Sequence, residues 1–186
     1  MSYQTKSWAA AAGGLKASTT TLTRVVVLLV AFVLTGMPGA RAEVKVGDLF
    51  PDLRSVSLDG GVVPDTKGRV TLVDFWASWC APCKASFPAF ARLNAAYADR
   101  GLVIVAVSVD EAKPAYQAFV KRWHPPFSAL LDEGQKLVTA VKVPTMPTSY
   151  LIGRDGRVRF VHSGFHGSET EELLRRHIDA VLGEQP

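Results

Sequence analysis

Apolar positions fall in short runs broken by Gly, Pro and Asp. Val70-Thr71-Leu72-Val73-Asp74-Phe75-Trp76, opened by Lys67-Gly68-Arg69, is nearly continuous and predicts a buried strand. Leu102–Val109 is a second such run, the pattern of a central strand covered on both faces. Between them, residues 81–98 carry Ala, Phe and Leu in an amphipathic pattern that predicts a helix. Pro88 inside it predicts a kink, and Gly101 marks where helix gives way to strand. Ala112–Trp123 reads as a helix stopped by His124-Pro125-Pro126, Ser128–Leu131 as a short strand and Gln135–Val141 as a short helix. Thr148–Ile152 and Arg157–His162 predict a strand pair around the turn Arg154-Asp155-Gly156. Ser168–Leu182 predicts the last helix, with Ser168 as N-cap and Glu171 completing a capping box. Upstream, Arg54–Leu58 alternates, Asp59-Gly60-Gly61 signals a turn and Val62-Val63 starts a return strand, so an N-terminal hairpin is expected. The order β-α-β-α-β-α-β-β-α predicts an α/β fold with helices on both faces of a sheet.

The first 42 residues follow a different pattern. They carry Lys6, Lys16, Arg24 and Arg41 without an acidic residue, and a ten-residue apolar run from Val25 to Leu34. Ala40-Arg41-Ala42 then supplies an A-x-A site before Glu43, so residues 1–42 are expected to be a secretory signal cleaved after Ala42. The alternative is an uncleaved anchor, but a spanning helix needs roughly 20 apolar residues. The domain expected to remain is 43–186. Its charge changes with the leader removed. The whole chain is +4, but residues 43–186 hold 17 basic and 17 acidic residues. This balance gives no reason to expect nucleic acid or a membrane surface as partner.

The chemistry lies in the only two cysteines, within Trp79-Cys80-Ala81-Pro82-Cys83-Lys84. They sit at a strand-to-helix junction, where unpaired N–H groups and the helix dipole favour negative charge. A thiolate is that charge and is the reactive form. As a staple the pair is poor: a four-residue loop contributes only roughly 2 kcal/mol by loop entropy. Two cysteines alone do not make a four-ligand structural zinc site, so no metal site is assigned. Asp74 is a carboxylate inside an apolar strand. It is either a hydrogen-bonded core group or a buried acid of raised pKa that exchanges a proton with Cys83.

Val73-Asp74-Phe75-Trp76-Ala77-Ser78-Trp79-Cys80-Ala81-Pro82-Cys83-Lys84 resembles the active-site segment of the thioredoxin superfamily. Met146-Pro147-Thr148-Ser149-Tyr150-Leu151-Ile152 resembles its cis-proline strand. The exported setting, the N-terminal hairpin and an inserted strand–helix are similar to TlpA/ResA-type thiol–disulfide oxidoreductases. The resemblance implies a thioredoxin-like three-layer fold, a mixed sheet with helices on both faces. It implies Cys80 as nucleophile, Cys83 as resolving thiol and Asp74 as proton partner. Trp79, Pro82, Met146 and Pro147 become the substrate-binding surface, with Pro147 cis and preferred over Pro144. The cofactor is none beyond a redox-active Cys80–Cys83 disulfide. The partners it implies are protein disulfides in the periplasm, as in cytochrome c or copper-oxidase assembly, and a membrane thiol reductant as electron donor. Many TlpA-like proteins carry Glu three residues after the second cysteine. Here that position is Ser86, so the acid–base role falls to Asp74.

The alternative function is a periplasmic Cu(I) metallochaperone using Cys80, Cys83 and a histidine such as His162 or His166. His124 and His177 read as surface positions. A thiol peroxidase would place Pro and Thr/Ser where this chain has Val73 and Ala77.

Overall fold

A computed structural model describes residues 43–184; the expected leader and its Ala42 boundary lie outside them. The two apolar runs pair directly. β1 (Val70–Trp76) and β2 (Leu102–Ser108) are parallel, and every residue of both is buried. β3 (Ser128–Leu131) adds in parallel to β2, and β4 (Thr148–Ile152) adds antiparallel to the other edge of β1. β5 (Val158–Ser163) pairs antiparallel with β4, giving the order β3-β2-β1-β4-β5. The continuous apolar pattern of β1 follows from this place, since a strand flanked on both edges and covered on both faces has no wet side.

Four helices cover the sheet: α1 (Ala81–Tyr97), α2 (Lys113–Trp123), α3 (Lys136–Val141) and α4 (Ser168–Leu182). Leu72, Ile104 and Leu151 pack with Phe90 and Leu93 of α1 and Leu174 and Ile178 of α4. Their opposite-facing neighbours Val73, Val105 and Tyr150 belong to the cluster holding Leu137 and Val141 of α3. Three layers result, as the α/β reading expects. Phe87 of α1 joins two helices to the sheet by ring contacts with Trp76 of β1 and Phe119 of α2, at centroid distances of 4.8 and 4.9 Å.

Two local expectations are corrected. Residues 54–63 do not form a hairpin. Leu53–Ser55 is a 3-10 turn, and the segment pairs outward: Asp59 bridges Leu131 at the β3 edge, and Leu49 bridges Arg157 just before β5. An isolated two-stranded hairpin is marginal in water, whereas an open sheet edge offers unpaired N–H and C=O groups. Leu53 belongs to the main cluster, and Val56, Leu58 and Val63 pack against it. The second correction is at α4. Its N-cap is Gly167, not Ser168, with φ +67° and no capping side chain. Glu171 is taken instead by Arg92 of α1 and Arg175. That double guanidinium pairing outcompetes a single backbone N–H. At the other end of α4, Arg154 from the β4–β5 turn donates to the carbonyls of Leu182 and Glu184 at 3.1 and 2.8 Å.

Truncating Phe87 tests the aromatic junction. Phe87→Ala should cost about 3–5 kcal/mol, the range for a buried Phe. Urea unfolding of the oxidised protein measures it, and a loss under about 1 kcal/mol would show that the junction is dispensable.

Candidate active site

β1 ends at Trp76 and the chain turns into α1 within four residues. Its neighbours in sequence and in the sheet diverge there, with β2 on one edge and β4 on the other. Such a point at the carboxyl ends of parallel strands leaves a crevice for a site. Cys80 is the N-cap of α1, with extended backbone, and Pro82 stands in the first turn, where its missing N–H costs nothing. The Cys80 Sγ accepts from the Cys83 N–H at 3.2 Å. A hydroxyl or carboxylate oxygen takes this place in most helices; here sulfur does. Cys80 and Cys83 are joined as a disulfide, with Cα atoms 5.3 Å apart. Cys80 is 6% exposed and Cys83 is fully buried, so the N-terminal sulfur is the one that a partner can reach.

The surroundings follow from register. Phe75 pairs with Thr148, which brings Pro147 to the end of β1, close to the start of the cysteine loop. The Met146–Pro147 peptide is cis, as expected for Pro147 and not for Pro144. Met146 packs against the cluster that contains Cys80 and Cys83. Trp79, next to Cys80 in the chain, is 69% exposed. Trp76 is fully buried in the core.

Asp74 is fully buried in β1, on the strand face it shares with Leu72, which packs with Phe90 and Leu93 of α1, and Trp76, which packs on Phe87. Its Oδ1 accepts from the Ser149 hydroxyl at 2.6 Å; its Oδ2 has no partner. Burial pushes the Asp74 carboxyl up to about 8, against the lowering effect of the Ser149 hydrogen bond. Ser86 donates its hydroxyl to the Cys83 carbonyl at 2.7 Å. A small buried hydroxyl therefore stands three residues after the second cysteine, where the resemblance leads one to look for Glu.

Two residues that the sequence reading passed over hold the site. Asp110 accepts from the Ser78 N–H, the Ser78 hydroxyl and the Ser108 hydroxyl, the last two at 2.8 Å, which fixes the loop entering Cys80. Its signal was available: it is a carboxylate closing the apolar run of β2. Ser149, the partner of Asp74, gave no signal, because the two are 75 residues apart. The histidines do not gather on the cysteines. His162 is buried and its Nε2 lies 3.2 Å from Nδ1 of His177, which is half-buried in α4 rather than at the free surface expected. Among the described residues no group of three or more His, Cys, Asp and Glu side chains is placed to hold a metal.

The arrangement defines a dithiol–disulfide centre on a thioredoxin fold. The Redoxin family model matches residues 45–176, and the chain belongs to that family, in its TlpA/ResA-like part. It is 30% identical over 168 residues to a thiol-disulfide oxidoreductase ResA of Bacillus cereus, covering 86% of this chain and 95% of that one. A ResA of Bacillus subtilis is 33% identical over 117 residues, 63% of this chain and 64% of its own. Among solved structures, a thiol:disulfide interchange protein DsbE from Chlorobium tepidum superposes with a TM-score of 0.70 at 36% identity, covering 76% of this chain and all of its own. With its Cys80–Cys83 pair, the protein is a thiol–disulfide oxidoreductase.

The buried acid gives a pH prediction. A carboxyl whose folded pKa lies above its unfolded value stabilises the fold fully below the unfolded value. That contribution is lost as pH rises through the folded one. For Asp74 the window runs from about 4 to about 8. Asp74→Asn should therefore flatten the stability curve across that window and leave the variant more stable than wild type at pH 9. Urea unfolding of oxidised protein from pH 4 to 9 measures this; parallel curves would refute a buried titrating acid.

Proposed function

We propose that this protein is an exported protein-disulfide reductase, with Cys80 as nucleophile, Cys83 as resolving thiol and Asp74 as the proton partner of Cys83. The observation that carries the reading is the Cys80 sulfur in the N-cap position of α1. A helix N-terminus lowers a thiol pKa. Lowering it from about 8.5 to about 7 raises the thiolate fraction at neutral pH from roughly 3% to about half.

In the forward reaction the Cys80 thiolate attacks one sulfur of the partner disulfide, and the other leaves as a thiolate and takes up a proton. The Cys83 thiol gives its proton to the Asp74 carboxylate, and the Cys83 sulfur attacks Cys80 in the mixed disulfide. The Cys80–Cys83 bond forms, the bond to the partner breaks, and the second partner thiol is released. The partner gains two electrons and the enzyme is left oxidised. A membrane thiol reductant would return the pair to the dithiol. Trp79, Pro82, Met146 and Pro147 form the docking surface; the Met146 backbone offers an edge to an extended segment. Export rests on the leader pattern of residues 1–42. No helix of the described residues is long and apolar enough to cross a membrane. Cytochrome c or copper-oxidase assembly proteins are the candidate partners. The copper-chaperone alternative is not favoured, since His162 faces His177 and not the cysteines.

Two measurements test this. Cys83→Ala should trap partner proteins as mixed disulfides on Cys80 in the periplasm; a variant that traps none would sink the reading. A glutathione redox titration should give a potential closer to the about −270 mV of thioredoxin than to the about −120 mV of DsbA. A value near the latter would make the protein an oxidant.

A further inference from the structure

An acid accepts the Cys83 proton only as a carboxylate, so the proton that a buried, neutral Asp74 holds must reach water before Cys83 can attack. Asp74 is fully buried and has no direct route. The sheet register supplies one. Asp74 pairs with Ser149 across β1 and β4, and Ser149 pairs with His162 across β4 and β5. Directly opposed residues share a face, with Cβ atoms about 4.5–5.5 Å apart. The three side chains therefore form one row under the helices. Ser149 donates to Asp74 Oδ1 at 2.6 Å at one end. At the other end, His162 Nε2 lies 3.2 Å from His177 Nδ1, and the His177 ring stacks on Phe160 at 3.7 Å between centroids. His177 is half-buried, so the row ends at solvent.

We propose that Ser149, His162 and His177 are the proton path between Asp74 and solvent, so that the two histidines set the rate at which the Cys83 step is completed. The inference rests on the reading of Asp74 as proton partner. Asp74 releases its proton to Ser149 Oγ, 2.6 Å away, and the next transfer crosses the Ser149–His162 register pair through one water. The Ser149 hydroxyl proton passes to His162 Nδ1, the His162 Nε2 proton to His177 Nδ1, and the His177 Nε2 proton to water. One proton reaches solvent, and each group recovers its starting state once the Ser149 hydroxyl and the two rings have reset. A relay needs neutral rings with one donor and one acceptor nitrogen. Burial, with the neighbouring His177, holds His162 down to about 4, and burial and Arg176 lower His177 as well. The titratable and charged groups that meet the row are Asp74 of β1 and His177 of α4, with Arg176 of α4 beside His177.

The test is single-turnover oxidation of the reduced protein by a disulfide-bonded peptide, followed by tryptophan fluorescence at saturating peptide from pH 5 to 9. His177→Phe keeps an aromatic ring on Phe160 and should fold; His162→Gln is the second variant. In dilute buffer both should slow the first-order step about 100-fold, the lower end for a lost proton-transfer group. Concentrated imidazole buffer should restore the rate, wild type should not respond to buffer, and the equilibrium potential should be that of wild type. Slowing without buffer rescue would make the histidines structural and overturn the relay. Wild-type rates in both variants, with Asp74→Asn slow, would overturn the relay while sparing Asp74. If Asp74→Asn itself leaves the rate and pH profile unchanged, the reading of Asp74 fails and the relay falls with it.

Discussion

Cys80 sits where a helix most needs an acceptor. The first turn of α1 leaves N–H groups without intrahelical partners, and the Cys80 sulfur takes the one from Cys83 at 3.2 Å. One interaction thus caps the helix, orients the sulfur towards its partner cysteine and favours its anionic form. Much of the fold serves to hold that junction. β1 brings the chain to the site from the centre of the sheet, and Asp110 pins the loop at Ser78. Phe87 and Trp76 lock α1 to β1 just below. The register of β4 delivers the cis Met146–Pro147 peptide to the same end.

The second constraint is the cost of Asp74. A carboxyl sealed from water favours its neutral form, and only one oxygen has a partner. Such a group weakens the fold at neutral pH, and an apolar residue would pack better. Under the proposed function that cost has a chemical use, because a thiol that must attack needs somewhere to leave its proton. Ser86 takes no part in that, since its small hydroxyl is spent on the Cys83 carbonyl.

Much of this was legible in the chain. The strands β1 to β5 and the helices α1 to α4 follow from the period of their apolar positions and from Gly and Pro at their ends. The cysteine pair is legible because it is unique and sits at a strand-to-helix junction. Pro147 is legible because a strand follows it at once. The misreadings share one cause. The stretch from Arg54 to Val63 has hairpin chemistry, but the sheet edges and the exposed face of the core compete for it and win. Ser168 and Glu171 have capping-box spacing, but Arg92 lies nearby only once α1 and α4 pack. His177 looks polar and exposed, but Phe160 and His162 of β5 meet it only after α4 packs on the sheet.

The sequence by itself determined the elements, their order, the redox pair and the presence of one carboxylate in an apolar strand. These depend on neighbours along the chain, where period and local turn chemistry act. Tertiary structure alone decided which groups the carboxylate meets, which sulfur is accessible, and that Asp74, Ser149 and His162 form a single row. Those relations come from strand register, and register is fixed by the burial of whole faces, over separations that no local pattern encodes.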